Sequence, residues 1–455
     1  MTLTDLLLNI KKSSFEELIP ISELQTEEDL NKYRERGYDS SLTALKIKEM
    51  IKGINLENVF FQKNLIDPYI YFDKKEYLIV SLNIFNGECF LNEEAKNDFE
   101  GSLNKTQKRN EGKLSRNLMI CPEALRLSLL NYILQNKEMS PELYDAFIDC
   151  YCDNDFGANN LSQQSIERVT ECKSEEQKNK TKDKLKKFPN SIKVYRGEGN
   201  ASTPYDKAYS WTIDYNTALL FACRMGDKGQ VSGRLIEGRV KKEDVIEYIS
   251  KRGESEILTL PQKVTVTNVM ELDSAKELEQ SEEMEFILDN YGCYTRSLRS
   301  LEFSHDTEEH GKLHTLRVGF LAMLLGHRES INDEEMELLL EACLYHDIER
   351  TNDKIDDEHG KKAAEFYREE FGAWPELEFL LTYHCLKDAE AKKVYDRTDF
   401  SEEVDVWKVY QILKDADALD RVRFGIRGLD TNQLRLKESL KLPLLATQLI
   451  NGLKL

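Results

Sequence analysis

The sequence predicts a multidomain chain, α+β in its amino-terminal region and strand-rich middle, and all-α in a carboxy-terminal helical bundle. Three observations lead there. The chain has 455 residues, and at about 100–200 residues per domain that is two to four domains. Short runs with β character, YIYFD from Tyr69 and EYLIVSLNIF from Glu76, occur before the middle of the chain. Beyond about residue 285 apolar residues recur at helical spacing, and all 7 histidines fall there, between His305 and His384.

Composition narrows the function classes. Hydrophobic residues at 40% and charged residues at 32% exclude a collagen-like or wholly disordered chain. The net charge of −20 repels phosphate backbones, so non-specific nucleic-acid binding is not expected. No apolar run approaches the roughly 18 residues of a membrane span. The amino-terminal residues lack a basic stretch followed by an apolar one, so no secretory signal is read. The expectation is a cytoplasmic protein, without excluding delivery as an effector. Its 9 cysteines are odd in number and scattered without a CxxC pair, which reads as reduced, buried thiols.

Three regions follow in order. Residues 1–112 begin helical and continue into the β-like runs, with no motif to suggest a role. The polar stretch Lys96–Lys113 closes them. Residues 113–278 open with two helical segments, CPEALRLSLLNYIL and SPELYDAFIDCY, then a polar stretch, Thr170–Lys187, read as a solvated helix or a linker. Short strands follow. An acidic stretch, Ser274–Glu285, separates them from residues 285–455, which read as nearly all helix.

Within the last region, Leu313, Leu316, Phe320, Leu321 and Leu324 mark one helix face, with His314 beside it. A second apolar run, MELLLEACLY, leads directly into His346-Asp347. An imidazole and a carboxylate at the end of a buried helix are costly to desolvate without a partner. A metal cation is such a partner, since neutral imidazole and carboxylate are common metal ligands. His359, His384 and Asp417 each lie at or near an apolar helix, so six candidate ligands from five segments converge on one or two metals. Asp415 and Asp417 are two apart and face different ways on a helix, so one of them coordinates; the Ala-Asp-x-Leu context favours Asp417. His305 and His310 lie in a polar stretch, with His305-Asp306 a decoy, and His327 reads as a capping or surface residue.

The order His314, His346-Asp347, Asp417, in the contexts HTLRV, YHDIER and DADALD, resembles the HD-domain metal-dependent phosphohydrolases. The resemblance covers about 130 residues. It implies an all-α HD-domain bundle, hydrolysis of a nucleotide or phosphoester, and one or two divalent ions per chain (Mn, Fe, Ni, Co or Zn). His359 and His384 match the extra histidines of members that hold two metals. Arg317 and Arg350 are candidate phosphate contacts, against the competing reading of salt bridges within the fold.

In the middle region Ile192, Val194 and Arg196 alternate along SIKVYRG, a strand with an arginine on its apolar face, followed by Gly197. AYSWTID, a short helix TALLFACR and a linking strand GRLIEGRV come next, then KRGESEILTLP, in which Glu254 and Glu256 read as sharing one strand face. Two adjacent carboxylates beside an apolar run call for a substrate or cation. Arg196, Ser210-Trp211-Thr212 and Glu254-Ser255-Glu256 together resemble the arginine–serine–glutamate class of ADP-ribosyltransferases. Trp211 and Thr212 depart from that class's commoner Ser-x-Ser.

This resemblance implies a split-sheet α+β domain that grips NAD as co-substrate. Arg196 and Gly197 would meet its phosphates or adjacent ribose, and Ser210 and Thr212 its nicotinamide side. Glu256 would bond the ribose 2′-hydroxyl and stabilise oxocarbenium-like charge. Glu254 would act as general base towards a protein acceptor, with arginine favoured. The competing reading pairs Arg196 structurally with a glutamate.

The leading functional expectation is a bifunctional enzyme: a mono-ADP-ribosyltransferase joined to an HD phosphohydrolase. The alternative keeps only the phosphohydrolase, gated by an inactive nucleotide-sensing domain. A third reading is a scaffold with a structural metal.

Overall fold

The computed structural model describes residues 14–24, 55–65, 68–82, 113–154, 158–200, 202–223, 232–250, 253–307 and 309–452, with isolated positions before residue 113. The expected helical start of the chain and most of the polar stretch Lys96–Lys113 lie outside the described residues.

In chain order the described elements begin with β1 (Ile19–Pro20), β2 (Val59–Phe61), β3 (Tyr69–Asp73) and β4 (Leu78–Ser81). Five helices follow: α1 (Leu114–Ile120), α2 (Glu123–Asn136), α3 (Pro141–Cys152), α4 (Gln163–Glu171) and α5 (Glu175–Leu185). Next come β5 (Ser191–Gly199), β6 (Ser210–Thr212), α6 (Tyr215–Cys223), β7 (Gly233–Lys241), β8 (Val245–Ile249), β9 (Glu256–Thr259) and β10 (Val264–Leu272). The remainder is helical: α7 (Ala275–Leu278), α8 (Glu282–Ser300), α9 (Lys312–Arg328), α10 (Asp333–Tyr345), α11 (His359–Phe371), α12 (Pro375–Tyr383), α13 (Asp388–Tyr395), α14 (Val406–Asp420) and α15 (Pro443–Gly452).

These elements form two compact units. The first comprises residues 1–191, 206–209 and 241–263. Strands β1 to β4 make an antiparallel sheet in sequential order, with Phe60 opposite Ile70 and Phe72 opposite Ile79. Leu125, Leu129 and Ile133 of α2 share a core with Phe147 of α3, Ile70 and Ile79 of this sheet, and Ile246 and Leu258 of the antiparallel pair β8–β9. Thr170–Lys187 is helix rather than linker. Ser174 and Gln177 form a reciprocal capping box that starts α5, satisfying donors the first turn leaves open. Glu247 of β8 is buried in the same unit, with bonds from Tyr144, Thr181 and Lys184 and with Lys173 at 3.5 Å.

The second unit comprises residues 192–205, 210–240 and 264–455. In it β10, β7, β5 and β6 lie side by side in that order. Gly197 of β5 lies hard against α6: a Cβ there would meet the Ala218 carbonyl oxygen at 1.7 Å. The side-chain-free position is what lets helix and strand touch. Ala218, Leu219, Leu235 and Leu272 join one core with the helices behind them. Helix α9 is central, packing against α8, α10 and α14. Its residues from His314 to Gly326 are all buried, a wider coverage than the single apolar face predicts. The acidic stretch Ser274–Glu285 supplies α7 and the first turn of α8. Acidic side chains there suit helix N-termini.

Candidate metal centre

His314 stands two residues into α9, where it is fully buried. Helix α10 ends at Tyr345, which puts His346 and Asp347 just past its last turn. His359 opens α11, His384 caps the end of α12, and Asp417 lies in the last turn of α14. The fold thus delivers each residue from a helix or its end, in the rigid manner a ligand set needs.

These side chains meet. The Nε2 atoms of His314 and His346 are 3.1 Å apart, and those of His359 and His384 are 2.9 Å apart. Asp347 stands between the pairs. Its Oδ2 is 3.6 Å from His314 Nε2 and 3.9 Å from His346 Nε2, and its Oδ1 is 3.1 Å from His359 Nε2 and 3.8 Å from His384 Nε2. Asp417 Oδ1 lies 3.4 Å from His314 Nε2. Ligand bonds of about 2.0–2.2 Å around one ion place neighbouring ligand atoms about 3.0–3.5 Å apart, the range that holds the His314–His346, His359–Asp347 and His314–Asp417 distances.

The other ring nitrogens sharpen the case. His346 Nδ1 donates to the Cys343 carbonyl at 2.8 Å, His384 Nδ1 to that of Leu381 at 2.7 Å, and His359 Nδ1 to that of Asp356. A carbonyl only accepts, so each of these nitrogens carries the hydrogen and Nε2 is left as a bare lone pair. His314 Nδ1 faces Asp420 Oδ2 at 2.7 Å, with the same result. Two pairs of lone pairs then point at each other at hydrogen-bond distance with no hydrogen between them. A cation between each pair removes that conflict, and outer partners of this kind are how metal-binding histidines are oriented. The donor set therefore fits divalent metal.

Electrostatics agree for His346 and Asp347, while His314 is drawn the other way by its carboxylates. Burial holds the His346 imidazole neutral, its pKa down to about 4. Burial alone would raise the Asp347 carboxyl, but the His346, His359 and His384 imidazoles hold it well below the usual carboxylate range. Burial and the Arg423 charge push His314 down, and its bonds to Asp417 and Asp420 outweigh them and raise it.

Other side chains stand close to the centre. Asp420, buried, takes the Arg317 fork on both oxygens as well as His314 Nδ1. Arg317 is therefore an internal ion-pair partner. Arg350 is likewise tied inward, donating to the Asn352 and Lys354 carbonyls. The Cys385 thiol lies with His359 and His384, and burial pushes its pKa up to about 11. Asp347 Oδ1, 3.1 Å from His359 Nε2, is the other candidate third ligand there. Asp415 faces away, receiving the backbone N–H groups of Arg435 and Leu436. His310, expected on a polar surface, is buried, with Nδ1 3.0 Å from Asp353 and its ring beside that of His314.

The residues singled out in the middle region divide between the units. Arg196, Gly197, Ser210 and Thr212 belong to the second, and Glu254 and Glu256 to the first. Arg196 donates to the carbonyls of Ser210 at 2.9 Å and Thr203 at 2.6 Å, and pairs with Glu198. Glu256 accepts from the Tyr151 hydroxyl at 3.0 Å. The expected alternation of Glu254 and Glu256 on one strand face does not hold. Strand β9 starts at Glu256, and Ser255 has φ +48°, a left-handed conformation that breaks the period of two.

Among the described residues no helix is long and apolar enough to cross a membrane. No curated protein and no solved structure matches the chain. Residues 313–422, the helical region that gathers these imidazoles and carboxylates, match the family model of the HD domain.

Proposed function

We propose that the chain is a metal-dependent phosphohydrolase acting on a nucleotide or phosphoester at this centre. The observation that carries the reading is the two inward-facing Nε2 pairs astride Asp347. His314, His346, Asp347 and Asp417 would hold one ion; His359, His384 and the second oxygen of Asp347 would hold another. When bound, such ions lower the pKa of water and draw charge from phosphoryl oxygens. Mixed nitrogen and oxygen donors suit Mn²⁺, Fe²⁺, Co²⁺, Ni²⁺ or Zn²⁺. The carbonyls behind His346, His359 and His384 keep the hydrogens on Nδ1. The Asp417 side chain, 32% exposed, marks the side open to substrate. The test is metal analysis with hydrolysis of bis-p-nitrophenyl phosphate and p-nitrophenyl phosphate. Wild type is expected to carry one or two ions. His346→Ala should lose metal, and its turnover should fall more than about 100-fold, beyond the usual cost of an outer partner. Full activity in that variant refutes the reading.

A second activity belongs to the same proposal, on separate support: NAD-dependent transfer of ADP-ribose to a protein acceptor. Strand β5, bearing Arg196, pairs with β6, bearing Ser210 and Thr212, through Tyr195 opposite Thr212. The Arg196 guanidinium thereby rests on the Ser210 carbonyl. Labelled NAD incubated with protein and lysate is expected to give label transfer that Glu256→Gln abolishes. Phosphoester hydrolysis without NAD turnover would instead favour the gated, nucleotide-sensing alternative.

A further inference from the structure

Three arginines stand around the candidate metal centre, and their partners differ. Arg317 spends its fork on Asp420. Arg350 donates from Nε and one terminal nitrogen to two backbone carbonyls, while its other terminal nitrogen lies 3.7 Å from Asp347 Oδ1. Arg423 is different. It sits on the single turn that follows α14, three residues past Asp420 and six past Asp417. Its side chain is only 7% exposed, and among the described residues its one ion pair, at 3.2 Å, is to Asp420 Oδ2. That carboxylate already serves Arg317 and His314. Arg423 Nε is buried and, among the described residues, has no hydrogen-bond partner.

A buried guanidinium N–H with no acceptor is costly and calls for an explanation. The Asp420 carboxylate is also shared between two guanidinium groups, Arg317 and Arg423. The Phe424 ring, 4.4 Å from the guanidinium carbon, braces the group, and Phe424 is 44% exposed, so the turn that carries Arg423 reaches the surface. The Asp417 and Asp347 charges both act on this guanidinium. A planar fork with spare donors, next to a centre suited to divalent ions, is matched chemically by two oxygens of one phosphoryl group.

We infer that Arg423 binds the phosphoryl group of the substrate, the task the sequence pattern suggested for Arg317 and Arg350. The inference rests on the phosphohydrolase reading above and names a residue that reading does not need.

The probe is inorganic phosphate, titrated calorimetrically into the full chain loaded with Mn²⁺. Wild type, Arg423→Gln and Arg423→Lys are compared, with Mn²⁺ content measured in each. All three should hold the same Mn²⁺. Phosphate affinity should fall at least about tenfold in Arg423→Gln, the size of one charge-assisted hydrogen bond, and by an intermediate factor in Arg423→Lys. If Arg423→Gln fails to fold, Arg423→Lys decides, since it keeps the charge beside Asp420 but loses the fork. Unchanged phosphate affinity in the folded variants, with wild type binding phosphate, overturns the role of Arg423 alone. Wild type that takes up no Mn²⁺, or takes it up without binding phosphate, overturns the phosphohydrolase reading and this inference with it.

Discussion

His314, His346, His359 and His384 were legible at the residue scale because a polar ring inside an apolar helical run has to find a partner beyond its neighbours in sequence. Asp420 was not, although it shares the run DADALD with Asp415 and Asp417. Helical spacing does hold a clue: Asp417 and Asp420 are three apart and share a face, while Asp415 lies on another. What the spacing does not give is the far side, where Arg317, Arg423 and His314 all converge on one carboxylate. The Asp420→Asn variant tests that convergence. It keeps the shape and an acceptor for His314 but leaves two buried guanidinium groups without a counter-charge. The expected cost is about 3–5 kcal/mol of stability, as for other broken buried ion pairs. Metal affinity should drop about 10–100-fold, the usual toll of losing an outer partner. Denaturant unfolding with metal titration reads both. Wild-type metal affinity in a destabilised variant would reduce Asp420 to a packing role.

Helices were the most readable elements, because apolar periodicity names them directly: α9, α10 and α14 stand where the pattern placed them. Less readable were features set by what an element touches. The left-handed Ser255 that offsets Glu254 from β9 depends on its surroundings, and a lone serine does not announce it. The contact between α11 and α12, which brings His359 to His384, turns on Gly360, a residue with no sequence signal beyond following a histidine. A Cβ at that position would meet the Leu381 carbonyl at 2.4 Å, the Cys385 sulfur at 3.0 Å and His384 Nδ1 at 3.1 Å. The nearest obstacle is backbone, so the helices have to separate. Gly360→Ala is expected to cost about 1–3 kcal/mol, as overpacking does, and to spread the His359–His384 pair while leaving His314 and His346 in place. In a chain that binds two ions, metal analysis should then show about one lost per molecule. Retention of both would mean that the two helices can part without moving the imidazoles.

At the scale of the whole molecule, the order of the motifs along the chain was readable, and the assembly that unites them was not. Five helical segments bring one or two side chains each, and the sequence separation between His314 and Asp417 is closed only by the core they share. Strand partners joining the same core as the helices, through Leu235 and Leu272, left no periodic trace either. That shared core makes metal binding a matter of stability as well as chemistry. The paired Nε2 atoms come together only in the folded chain, so an ion that binds them favours folding. At a free concentration one hundred times its dissociation constant, an ion binding only the folded state adds about 2.7 kcal/mol. For a unit of this size that is a rise of about 5–10 °C in the midpoint of its unfolding. The three candidate ion-binding groups among the described residues all lie in the second unit, so its transition is the one expected to move. Calorimetry with saturating Mn²⁺, then with excess EDTA, should raise that transition and restore it. His346→Ala should rise less than wild type, having lost the ion of the His314–His346 pair. A variant that rises as far as wild type would place the ion somewhere other than the His314–His346 pair, and the two inward-facing nitrogens of that pair would then need a different explanation.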